Sequence, residues 1–91
     1  MIVRLYIRPG CQLCDEARDW LDDFGVKPDP VNILQDEALY RRFKDTIPVV
    51  EAGGQFLPMP FTRRILRAWL VARGATPERR ARRRGNRNGL R

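Results

Sequence analysis

The sequence predicts an α/β domain built in the order β-α-β-α-β-β-α. Three observations predict it. Short segments rich in β-branched and aromatic residues alternate with segments whose apolar residues recur at helical spacing. Proline and glycine punctuate nearly every change of pattern. A Gly-Gly pair separates the last two β segments, as a tight hairpin requires.

Ile2–Ile7 reads as the first strand. Pro9-Gly10 breaks it. From Gln12 onward, Leu13, Ala17, Trp20, Leu21 and Phe24 fall on one helical face. Asp15, Glu16, Arg18, Asp19, Asp22 and Asp23 fall on the other. Gly25 suits the position just past the helix end. Lys27-Pro28-Asp29-Pro30 reads as a loop, because two prolines in three residues oppose regular structure. Val31–Leu34 reads as a short strand. Asp36 is placed to cap a short helix with Leu39, Tyr40 and Phe43 on its apolar side. Thr46-Ile47-Pro48 forms a turn before the strand Val49–Glu51. Gly53-Gly54 and the returning strand Gln55–Leu57 follow, with Pro58 marking a sheet edge. Thr62 is placed to cap a last helix carrying Ile65, Leu66, Trp69 and Leu70 and ending at Gly74. Trp20 and Trp69 are expected to serve packing, and Tyr6 either packing or the rim of a groove.

The 91 residues carry 18 Lys+Arg against 11 Asp+Glu, a net charge of +7. The charge is divided unevenly. Residues 1–73 are nearly neutral at +1, whereas 74–91 hold seven Arg and one Glu, a net +6. The domain is therefore expected to span 1–73, followed by an Arg-rich tail at 74–91 whose composition is that of disordered chain. The tail suits weak contact with a polyanion such as nucleic acid, or with an acidic protein. No aromatic side chain interleaves its arginines to stack on bases. No apolar run is long enough to span a membrane, and the first residues lack the pattern of an export leader. A cytoplasmic monomer is expected. The absence of His excludes imidazole chemistry, and two Cys without His cannot close a four-ligand zinc site within these residues. No metal is expected.

The motif that carries chemistry is Cys11-Gln12-Leu13-Cys14, directly after a strand and at the start of an amphipathic helix. Two Cys three apart at a helix start can bring their sulfurs within disulfide range. The first lies beside the unpaired N–H groups of the opening turn, which favour an anion. Cys11 is thus the expected nucleophile and Cys14, deeper in the helix, the resolving thiol. Two other readings of the pair stand beside this one: small buried apolar residues, or half of a metal or cluster site shared between two chains.

Tyr6-Ile7-Arg8-Pro9-Gly10-Cys11-Gln12-Leu13-Cys14, together with Thr46-Ile47-Pro48-Val49-Val50, resembles the glutaredoxins. It resembles most the small glutaredoxin-like proteins of bacteria, over roughly residues 2–72. The resemblance implies a thioredoxin-like fold with a four-stranded mixed sheet and helices on both faces. It implies a dithiol–disulfide oxidoreductase with Cys11 and Cys14 as catalytic residues. It also implies a cis bond before Pro48, which would face the thiol pair, with the Ile47 backbone pairing to bound peptide or glutathione. From the residues alone Ile47-Pro48 reads as a trans turn, since only about 5–6% of such bonds are cis. Arg8, Gln12 and Thr46 are expected beside the substrate, Arg8 as a charge favouring the Cys11 thiolate.

Glutathione-dependent members usually read Cys-Pro-Tyr-Cys, where this chain has Cys-Gln-Leu-Cys. They place Gly-Gly and a capping Asp at the last helix, where this chain reads Pro58-Met59-Pro60-Phe61-Thr62-Arg63-Arg64. Thr62, Arg63 and Arg64 at a helix start compose a candidate replacement anion site. The expected substrate is a disulfide-bearing protein or small molecule, reset by an external thiol reductant. No cofactor is expected to be tightly bound, and glutathione enters as a possible co-substrate. The rival function is a binding module of the same fold, acting through its basic tail.

Overall fold

The computed structural model describes residues 1–76. From residue 77 on, the expected tail lies outside the described residues. The elements are β1 (Val3–Ile7), α1 (Gln12–Asp23), β2 (Asp29–Asn32), a 3₁₀ turn at Ile33–Gln35, α2 (Glu37–Phe43), β3 (Val49–Ala52), β4 (Gln55–Pro58) and α3 (Arg63–Ala72). The strands lie in the order β2-β1-β3-β4. β1 pairs parallel with β2 and antiparallel with β3, and β3 pairs antiparallel with β4. The sheet is therefore mixed, as expected.

Alternation along the strands sends side chains to two faces. Val3 and Leu5 of β1 join Val50 and Ala52 of β3 in the larger core, against Ala17, Leu21 and Phe24 at α1 and Leu66 and Leu70 of α3. Tyr6 and Val49 point the other way and meet Ile33 and Phe43, with Leu39 and Phe56 packed beside them. Helices thus cover both faces, two on one and the short α2 on the other. Leu5, Leu21, Leu66 and Leu70 are fully buried, each stabilising the fold by about 1.5–3 kcal/mol relative to exposure.

Local chemistry sets the ends of the elements. α1 stops in a Schellman motif: the Gly25 N–H bonds Asp22 O at 3.0 Å and the Val26 N–H bonds Leu21 O at 2.9 Å, with Gly25 at φ 77°. Asp36 caps α2 by accepting the Leu39 N–H at 3.1 Å. Thr62 caps α3 by accepting the Ile65 N–H at 3.1 Å. In the hairpin, Gly53 and Gly54 have φ 60° and 78°, both in the left-handed region that a two-residue I′ turn needs.

Three expectations are corrected. β2 is Asp29–Asn32, not Val31–Leu34, and Pro30 lies inside it opposite Leu5. An edge strand has one unpaired side, which tolerates a missing N–H, so the prolines do not prevent pairing. Tyr40 is 38% exposed and Ile65 49% exposed, so neither belongs to the core. Helical spacing marks a face, but α2 is only seven residues long and α3 turns Leu66 and Leu70, not Ile65, into the core. Trp20 and Trp69 pack partly buried against the larger core.

Candidate functional site

Pro9 and Gly10 turn the chain from β1 into α1. Gly10 has φ 75°, and nothing lies within 4 Å of where its Cβ would be, so backbone conformation alone calls for glycine there. The turn delivers Cys11 to the N-cap position with extended backbone, φ −98° and ψ 110°. Its sulfur accepts the Cys14 backbone N–H at 3.1 Å, and its carbonyl accepts the first helical bond, from Asp15 N–H at 3.1 Å. A side chain at this position faces the free amides and the positive end of the helix dipole, where negative charge is stabilised.

Cys14 sits one turn in and is buried, with 3% exposure. Both are free thiols, Cys11 the more accessible. The Cys14 thiol is pushed up to about 12, first by burial and then by its hydrogen bond with the Cys11 side chain. A backbone hydrogen bond from Arg8 acts in the opposite sense. At neutral pH Cys14 therefore holds its proton.

The turn at 46–48 lies at the same end of the sheet. Val49 pairs with Tyr6, which sets Pro48 across from Ile7, the last residue of β1. Pro48 is fully buried and the Ile47–Pro48 bond is cis. α2 ends directly beneath: the Phe43 carbonyl accepts the Thr46 N–H at 2.9 Å and the Ile47 N–H at 3.1 Å, while Thr46 O accepts the Met59 N–H at 3.1 Å. The Ile47 carbonyl takes no hydrogen bond among the described residues. The Ile47 amide thus closes the end of α2. The signal for this is the need of the last helix carbonyls for donors, here three and four residues downstream of Phe43.

Arg8, Gln12 and Leu13 are exposed around the pair. Arg8 reaches Cys14 through its backbone amide. Leu13, which helical spacing alone leaves between core and rim, is 47% exposed and lies on the rim. Among the described residues no hydrogen bond or ion pair joins Thr62 or Arg63 to the thiols. Arg63 Nη2 pairs with Asp23 Oδ2 at 3.5 Å, and its guanidinium lies 5.0 Å from the Phe24 ring centre. Asp23 is the last residue of α1, about 18 Å along the helix from its start. Phe61, beside Thr62, meets Trp20 edge-on with ring centres 6.3 Å apart. The start of α3 is thus engaged with the far half of α1, and the Thr62 hydroxyl oxygen is used as a cap.

Tyr6 lies behind the site as core, 8% exposed. Its hydroxyl donates to Glu51 Oε1, whose carboxylate also faces Arg4 Nη1 at 3.6 Å. Burial first and the Glu51 contact second push the Tyr6 hydroxyl up to about 12. An open cleft of about 390 Å³ runs along the outer side of α1 past Arg18, Asp22 and Pro28, and includes none of these site residues.

Residues 2–71 match the model of the glutaredoxin-like domain (DUF836). The X-ray structure of Northeast Structural Genomics target protein XcR50 from X. campestris is similar at 36% identity and a TM-score of 0.71, over 77% of this chain and 96% of that one. The solution structure of the same target protein gives 36% identity and a TM-score of 0.70, over 79% and 95%. The fold is thioredoxin-like.

Proposed function

The chain belongs to the glutaredoxin-like domain family, and on that premise we propose that it is a dithiol–disulfide oxidoreductase acting through Cys11 and Cys14. The observation that carries the proposal is the asymmetry of the pair. Cys11 is accessible at a helix N-cap, with a backbone amide aimed at its sulfur. Cys14 is buried, with its thiol pushed up to about 12.

The steps follow from that asymmetry. The Cys11 thiolate attacks one sulfur of a substrate disulfide. A Cys11–substrate S–S bond forms, the substrate S–S bond breaks, and the first substrate thiolate leaves and takes a proton. Cys14 then gives up its proton and attacks Cys11 Sγ. The Cys11–Cys14 bond forms and the second substrate thiolate departs, taking up a proton. Two electrons have passed from the pair to the substrate, and an external thiol reductant of the glutathione or thioredoxin type returns them. The N-cap amide stabilises Cys11 as nucleophile in the first step, and in the second Cys11 Sγ is the sulfur attacked as its bond to the substrate breaks. Burial keeps Cys14 protonated, so it waits for the mixed disulfide rather than competing for substrate.

The experiment is turnover of a disulfide substrate with an excess of external thiol. Wild type is expected to accelerate reduction and Cys11→Ser to abolish the acceleration. Acceleration that survives Cys11→Ser contradicts the proposal.

A further inference from the structure

The charged side chains beside the thiol pair are of mixed sign. Asp15 and Glu16 stand exposed on the first turns of α1, and Asp15 is close enough to raise the Cys14 thiol further. Arg8, exposed just ahead of the pair, is of opposite sign. The arginine that a helix N-terminus offers elsewhere, Arg63, is paired with Asp23 at the other end of α1. What the rim does offer is different in kind. Leu13, between the two cysteines in sequence, exposes 47% of its surface. The Ile47 carbonyl, with no hydrogen bond among the described residues, stands at the same end of the sheet. An apolar contact and a single backbone acceptor are what a polypeptide satisfies, with a side chain for the one and an N–H for the other.

We infer that Leu13 is a specificity residue, and that the site takes a disulfide held in an exposed polypeptide segment with apolar residues beside the cysteine, in preference to a small anionic disulfide. This rests on the oxidoreductase reading above and names its substrate class. Leu13 loses its remaining exposed surface under a neighbouring apolar side chain. The Asp15 carboxylate, close enough to act on the Cys14 thiol, disfavours acidic flanks and the carboxylates of glutathione disulfide. Burying the exposed half of a leucine favours the apolar-flanked substrate by roughly three- to tenfold.

The test uses the full reduced chain in single turnover, with oxidation of the pair followed by acid quench, alkylation and mass spectrometry. Three substrates are compared: a cyclic peptide disulfide with Leu and Phe beside its cysteines, the same peptide with Asp and Glu there, and glutathione disulfide. Wild type is expected to react about tenfold faster with the apolar peptide than with either of the others. Leu13→Ala is expected to lower the apolar-peptide rate roughly three- to tenfold while leaving the acidic-peptide rate within about twofold. Leu13→Lys is expected to raise the acidic-peptide and glutathione disulfide rates.

Equal rates for the two peptides overturn the inference. So does a faster reaction with glutathione disulfide, or an equal loss on all three substrates in Leu13→Ala, which would mark a structural role. If none of the three substrates oxidises the pair in wild type, the oxidoreductase reading itself fails, and this inference with it.

Discussion

The sulfur of Cys11 accepts the backbone N–H of Cys14 at 3.1 Å, so the more accessible thiol of the pair is also the N-cap of α1. The two roles separate by substitution. Serine at position 11 keeps an acceptor at the cap and alanine removes it. In the reduced state Cys11→Ser is expected to be more stable than Cys11→Ala by about 1 kcal/mol, read from urea unfolding, while both lose disulfide reduction. Equal stability of the two variants would mean that the sulfur does not cap the helix.

The same geometry predicts selective alkylation. With its thiol pushed up to about 12, Cys14 stays protonated and buried at pH 8, and the thiolate is the form that reacts. Iodoacetamide should add one equivalent, on Cys11, with the second appearing only in denaturant. Peptide mapping reads the position of the adduct. A first adduct on Cys14 contradicts the assignment.

The raised groups also fix the sign of the alkaline response. In the unfolded chain Cys14 ionises near its ordinary value of 9.0, but in the fold only at about 12. Tyr6 moves from 10.0 to about 12. Between pH 9 and 12 the unfolded chain therefore holds fewer protons than the folded one, and stability falls as pH rises. The contribution is full below pH 9 and gone above 12. Urea unfolding of the reduced protein at pH 8, 10 and 11 should show the fall, and Cys14→Ala with Tyr6→Phe should flatten it. A stability that rises over this range contradicts both assignments.

Thr62 separates a cap from a substrate ligand. Its hydroxyl oxygen accepts the Ile65 N–H at 3.1 Å, so Thr62→Ala is expected to cost about 1 kcal/mol in unfolding and to leave kcat/KM for disulfide reduction within about twofold. A large loss in kcat/KM at unchanged stability would return Thr62 to the substrate site.

Much of this was legible because it is local. The C-x-x-C after a strand, the capping residues Asp36 and Thr62, Gly25 past its helix and the Gly-Gly hairpin all follow from neighbours in sequence. So did the expectation that Cys14 is the shielded member, since it stands one turn further into the helix. What was hidden is tertiary. Nothing near Pro30 says that its strand lies at the sheet edge, where a missing N–H is harmless. Arg63 and Asp23 are forty residues apart in sequence, and only the packing of α3 against α1 joins them. The capture of the Ile47 amide by Phe43 depends on how the end of α2 meets the turn.

In the proposed mechanism Cys11 attacks and Cys14 resolves. Its most direct measurement is the fate of reduced Cys14→Ser mixed with a stoichiometric disulfide peptide and examined by non-reducing mass spectrometry. A stable adduct of one peptide on Cys11 is expected, while wild type passes on to the intramolecular disulfide with no adduct remaining. An unmodified Cys14→Ser chain, with Cys11→Ser carrying the adduct on Cys14 instead, would contradict it.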